Sequence, residues 1–213
     1  MLFFIFTFFI SCSGQTPDTD VTKQYSNINI HEFNHVSFDS NIANVRSKRY
    51  PTIKRWWVQI PDVRICSTRE ISNSRLNESL YFWKKLGYKF GNIYWDSDTN
   101  SFPCKNMGNK GEITIMLYSN NMDFTIEDKM SVTRTWYNTR NKNIEKSVIL
   151  LWGKQSIKEN VLEHEIGHAL GWSHYNYTFG HIMSQKYNRI GNNTFGLSMH
   201  EYKKQIENLK NKK

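Results

Sequence analysis

The chain has 213 residues, 38% of them hydrophobic and 15% aromatic, with a formal charge of +9 and a pI near 9.4. That is enough apolar material for one domain with a leader and a tail, and too much for a disordered, solvating chain. The positive charge is spread along the sequence, with small clusters only at Arg46–Arg49 and Lys210–Lys213. No zinc finger, recognition helix or aromatic RNA-binding motif accompanies it, so nucleic acid is not expected as a partner.

Met1 to Ile10 is a short apolar run, below the roughly 20 residues a spanning helix needs. Ser11-Cys12-Ser13-Gly14 follows, and residues 1–14 read as an export signal, although no Lys or Arg precedes the apolar run. Phe9-Ile10-Ser11-Cys12 also resembles a loose bacterial lipobox, in which Cys12 would be lipidated and anchor the chain to a membrane. Both readings place the protein outside the cytoplasm, either secreted or membrane-anchored. Without Cys12 an even pair remains, Cys66 and Cys104, which in an exported chain suggests one disulfide; two buried free thiols are the rival reading.

Residues 15–50 are polar and rich in Asn, Ser and Asp, and read as a tether, a short pro-segment or an added strand. His31-Glu32-Phe33-Asn34-His35 matches H-E-x-x-H, but no sustained helical stripe surrounds it and no Gly-x-x-His follows, so it reads as coincidence. The domain is expected over 51–213. Trp56–Ile60 and Val63–Cys66 predict a first strand region broken by Pro61-Asp62. Ser72 to Leu86 predicts an amphipathic helix with Leu76, Leu80 and Trp83 on one face. Tyr88–Trp95 predicts a second strand, Asp96–Gly111 a loop, and Glu112–Tyr118 a third strand. Ser131–Tyr137 alternates as a half-exposed or edge strand would, and Ser147–Trp152 is apolar throughout, as in a buried central strand. Lys154–Leu170 predicts a helix, with Ser156 and Glu159 at capping-box spacing; Ser198 and Glu201 mark the start of a last helix, Ser198–Lys210.

The chemistry concentrates in His164-Glu165-Ile166-Gly167-His168-Ala169-Leu170-Gly171-Trp172-Ser173-His174. On a helix, His164 and His168 share a face, as two ligands for Zn²⁺ must. Glu165 sits beside them, where a general base for water is needed. Gly171 can break the helix and let His174 return as a third ligand, leaving one position open, the mark of a catalytic rather than a structural ion. His181 is a local rival for that third place.

This pattern resembles the metzincin metalloproteases, H-E-x-x-H-x-x-G-x-x-H followed by a Met-turn, and every fixed position is matched. The resemblance implies an α+β, zincin-like fold: a mixed twisted sheet of about five strands, a zinc-site helix, a Met-turn and a C-terminal helix. It assigns His164, His168 and His174 to one zinc ion, Glu165 to the base and Met183 to a hydrophobic floor beneath the ligands. Met183 is otherwise an ordinary core methionine. Where some members carry an extra ligand tyrosine this chain has Gln185, so that role is not carried over; Tyr187 could at most help an oxyanion. The compact His174–Met183 spacing is most like the matrixin branch, whose structural-zinc cluster finds no match here. Calcium could bind loop acids such as Asp96, Asp98 or Asp123.

The implied function is a monomeric zinc endopeptidase, hydrolysing peptide bonds through a zinc-bound water activated by Glu165. Its partner is a protein or peptide substrate, paired as an extended strand along 113–118 or 131–137. The alternative is a non-catalytic surface-binding lipoprotein that retains the fold.

Overall fold

A computed structural model describes residues 50–66, 71–117, 131–152 and 158–211, and the backbone of 28–32. The leader with Cys12, Asp123 and the Ser156 cap lie outside the described residues. The architecture is α+β. Six strands form one mixed sheet: β1 (Ile28–Glu32), β2 (Asp62–Cys66), β3 (Ile93–Asp96), β4 (Glu112–Leu117), β5 (Ser131–Tyr137) and β6 (Ile144–Leu151). Their order is β1-β5-β6-β4-β2-β3. β2, β3, β4 and β6 run parallel, while β5 lies antiparallel to both β6 and β1.

The helices are α1 (Asn73–Lys85), the short α2 (Phe102–Lys105), α3 (Val161–Ala169) and α4 (Met199–Lys210). Ser72 caps α1 by accepting from the Arg75 N–H, and Ser198 caps α4 by accepting from the Glu201 N–H. Among the described residues no helix is long and apolar enough to cross a membrane.

The apolar run of β6 is buried on both faces of the sheet. Ile149 and Leu151 join the main core with α1, α3 and α4, whereas Val148 and Leu150 face a smaller cluster with Met116, Cys66 and Cys104. Cys66 and Cys104 form a disulfide that ties the end of β2 to α2 across a separation of 38 residues. In the chain-entropy account, closing a loop of that length contributes about 4 kcal/mol.

Several expectations are corrected. Trp56–Ile60 is not a strand. Trp56 and Trp57 are instead drawn into the core, and the Trp57 indole donates to the Ala169 carbonyl at 2.8 Å. Tyr88–Asn92 precedes β3 rather than forming it, because Tyr88 turns inward, receives the Trp172 indole N–H and donates to the Leu197 carbonyl. The loop at 96–111 holds α2. The described part of α3 begins at Val161, where Asn160 takes a left-handed conformation (φ 67°) that a continuous helix does not permit.

Neither 113–118 nor 131–137 provides a free edge. β4 lies between β6 and β2, and β5 lies between β6 and β1. β5 is half-exposed with its faces the other way round: Ser131, Thr133 and Thr135 are fully buried, while Arg134 and Trp136 on the opposite face are only half-buried. The hydroxyls face other polar groups inside the domain, so here the polar side of the alternation is the buried one.

Candidate metal and acid–base site

α3 crosses the sheet with all nine of its residues buried. Its outward carbonyls at the C-terminal end have partners from three elements, as buried helix ends require. Ala169 O accepts from the Trp57 indole and from Ser147 Oγ, and Leu170 O accepts from the Tyr202 hydroxyl of α4 at 2.8 Å. At the other end, the Glu163 carboxylate takes a two-pronged ion pair from Arg75 of α1, with Nη2 at 2.6 Å, and a hydrogen bond from Ser79. The Trp83 indole donates to the Glu163 carbonyl. Hydrogen bonding to Glu163 holds the Arg75 pKa above its ordinary value, against the opposing effect of burial. Arg75→Met should therefore strand the Glu163 charge in the interior and cost about 3 kcal/mol in urea unfolding. A loss under about 0.5 kcal/mol, the size of a surface pair, would show that the pair does not hold α3.

Gly171 (φ 106°) ends the helix, and its N–H bonds the His168 carbonyl. The chain then runs back antiparallel past Ile53, which pairs with Trp172, and returns His174 to the helix. His168 Nε2 lies 3.0 Å from His164 Nε2 and 3.1 Å from His174 Nε2. The orientation of two rings is set by backbone carbonyls: His164 Nδ1 bonds Ile182 O at 2.7 Å and His168 Nδ1 bonds Trp172 O at 2.8 Å. Carbonyls only accept, so both Nδ1 atoms carry hydrogen and each neutral ring presents its Nε2 lone pair to the other. Burial pushes the His164 pKa down to about 3 and that of His174 to about 4, which favours the neutral rings that bind metal. A tetrahedral ion with ligands at about 2.0–2.1 Å holds its nitrogens about 3.3 Å apart. The three rings fit such an ion, and they are the one group of three or more metal-binding side chains among the described residues.

Glu165 is fully buried next to this cluster. Ser131 Oγ donates to one carboxylate oxygen at 2.7 Å and Thr133 Oγ1 donates to the other. Burial raises its pKa to about 7, partly countered by those two hydroxyls. A base with that pKa is poised to gain or lose a proton near neutrality.

Met183 is fully buried against α3. A Cβ on Gly167 would lie 2.3 Å from Met183 Sδ, so Gly167 is what lets the sulfur approach the helix between the two histidines. The segment His181–Met183 also orients the site through its backbone. Ile182 O fixes His164, and Met183 O accepts from the Tyr175 N–H. His181 does not converge with the other rings. Its Nδ1 accepts from the Met183 N–H and its Nε2 donates to Phe195 O, which commits both nitrogens. The Asp96 carboxylate receives the Ser101 hydroxyl and the Asp98 N–H and lies near Arg64, while Asp98 accepts from the Asn100 N–H; both acids serve their own turn. Gln185 bonds Asn176, and Tyr187 stands in a short 3-10 turn under the Lys158 ammonium.

The sequence reading missed Ser131, Thr133, Arg75 and Glu163. A signal was present for the first two: hydroxyls at alternate positions of a strand in a chain that needs to seat a buried carboxylate. No family model matches the chain, and no curated protein matches it.

Proposed function

We propose that the chain is a zinc-dependent endopeptidase of metzincin type with a zincin-like fold, closest in motif spacing to the matrixin branch. The reading rests on one observation above the others: three imidazole Nε2 atoms converge beside a fully buried glutamate whose carboxylate is held by Ser131 and Thr133. His164, His168 and His174 would hold the ion, and Met183 would form the floor beneath them. Bound there, Zn²⁺ supplies Lewis acidity, polarising a carbonyl and easing the deprotonation of water. Glu165 accepts the proton from water and passes it to the leaving amine. Ser131 and Thr133 hold the carboxylate in place while it does so. The disulfide supports a location outside the cytoplasm, reached by secretion or through a lipid on Cys12.

The test is metal content and cleavage together. Purified protein should carry about one zinc per chain by mass spectrometry. It should cut an unfolded protein such as reduced casein, lose that activity with 1,10-phenanthroline and regain it with added Zn²⁺. Zinc bound at this stoichiometry with no cleavage across a peptide library would leave the non-catalytic lipoprotein reading in its place.

A further inference from the structure

β3 forms the end of the sheet away from β5 and the carboxylate that β5 holds. Among the described residues it pairs with β2 alone, in parallel, so its second edge faces no strand. The Asn92 carbonyl accepts from the Val63 N–H, which turns the main-chain groups of Asn92, Tyr94 and Asp96 toward β2. Strand residues alternate, so the N–H and C=O of Ile93 and Trp95 point outward, as on any edge open to pairing. The side chains are open too: Ile93, Tyr94 and Trp95 are 36–39% exposed. The register sets Ile93 opposite Val63 and Trp95 opposite Ile65, on the side of the main core, while Tyr94 lies on the other side under the Arg64 guanidinium. Residues 92–96 hold no Lys, Arg or Pro, the residues that commonly blunt such an edge.

We propose that β3 pairs with β3 of a second copy of this chain, antiparallel about a two-fold axis through Tyr94, so that two sheets join into one. The strand is its own complement in that register. A two-fold axis normal to the sheet keeps the helix side on the helix side, so each residue meets one of the same face. Ile93 then meets the partner's Trp95 on the helix side, Tyr94 meets the partner's Tyr94 on the other, and Asn92 meets the partner's Asp96. The outward N–H and C=O of Ile93 face those of the partner's Trp95, so both such pairs are hydrogen-bonded ones. A slip of one residue would mismatch the faces and the bonds together. Charge agrees with the antiparallel sense. It brings the exposed Lys89 end of one strand to the Asp96–Asp98 end of the other, on a chain whose net charge of +9 opposes association elsewhere. The pairing goes beyond the endopeptidase reading and needs neither metal nor turnover.

The experiment uses the full chain with Cys12→Ser, which leaves Cys66 and Cys104 in their buried disulfide as the remaining cysteines. Sedimentation velocity from low to high micromolar concentration should show the 25.3 kDa chain passing to a species of twice that mass. Ile93→Lys with Trp95→Lys sets ammonium against ammonium in both hydrogen-bonded pairs. It should raise the dissociation constant at least about tenfold without lowering the melting temperature, since both side chains reach solvent. A chain that stays at its own mass throughout, or a dimer that the two lysines leave unchanged, would overturn the proposal.

A converse variant fixes the register without depending on a loss. Opposed residues of a non-hydrogen-bonded antiparallel pair lie about 4.5 Å apart at Cα, within reach of a disulfide. Tyr94→Cys should therefore give a covalent dimer under mild oxidation. Tyr81→Cys, placed on α1 at a residue more exposed than Tyr94, should not. Equal cross-linking of the two would overturn the self-pairing of β3, and so would a dimer that Tyr94→Cys fails to trap. Absence of zinc-dependent cleavage removes the function and leaves this pairing standing, whereas an active enzyme that sediments as a single chain removes the pairing alone.

Discussion

Glu165→Gln is expected to lower the rate of peptide hydrolysis by about three orders of magnitude while leaving the zinc content unchanged. The substitution keeps the shape of the side chain and removes only its ability to take a proton. His164, His168 and His174 keep their ring orientations, because these depend on Ile182 O, Trp172 O and the turn at Gly171 rather than on Glu165. The same substitution should stabilise the metal-free protein. With its pKa raised to about 7, the folded state holds more protons than the unfolded state between about pH 4.5 and 7, so stability is lost as pH rises through that window. The carboxylate therefore costs up to about 3 kcal/mol at pH 8, and Gln escapes that cost, less what it loses by accepting from only one of the two hydroxyls. Urea unfolding of both chains at pH 5 and pH 8, after chelation, measures it: the advantage of Gln should grow with pH. A Gln variant that cleaves at the wild-type rate would end the assignment of Glu165 as base, and an advantage independent of pH would show that the carboxylate is not strained by burial.

The parts of the fold visible in the sequence are those where local pattern and tertiary demand agree. Helix α1 was readable from its amphipathic face, α4 from the Ser198–Glu201 capping-box spacing, and β6 from its unbroken apolar run. The convergence of His164, His168 and His174 was readable because helical spacing and one glycine dictate it. The misreadings share a cause. Trp57 and Tyr88 look like strand residues, being bulky and aromatic, but each carries a donor that an interior helix-end or loop carbonyl accepts, and tertiary packing took them for that purpose; Trp56 enters the core beside them for its apolar area alone. Ser131, Thr133 and Thr135 look like a wet face because hydroxyls usually are; here Ser131 and Thr133 donate to a buried carboxylate and Thr135 accepts from Ser147. The pairing of β1 with β5 joins positions about a hundred residues apart, so the sequence offered an added strand within 15–50 as one reading among three but no partner for it.

Gly171→Ala is expected to cost about 4 kcal/mol, lower the melting temperature by about 10 °C and weaken zinc binding. Two penalties combine. At φ 106° the backbone is outside even the left-handed well that other residues reach at modest cost. The new Cβ would also lie 2.2 Å from the Arg55 carbonyl oxygen and 3.1 Å from its carbon, which are main-chain atoms and cannot swing aside. Relief would have to come from the antiparallel contact between residues 52–54 and 171–173, where Ser173 N–H bonds Thr52 O. That contact sets the distance at which His174 faces His168, so the strain should appear in the ligand set. Gly180→Ala is the control, since its φ of 70° lies close to the left-handed well and nothing stands within 4 Å of its Cβ. It should cost only about 1 kcal/mol and leave zinc affinity unchanged. Calorimetry and competitive zinc titration of the two variants separate conformational strain from the clash. Equal costs would mean that the Arg55 carbonyl gives way, and that the return of His174 is held by the packing of Trp172 rather than by the turn.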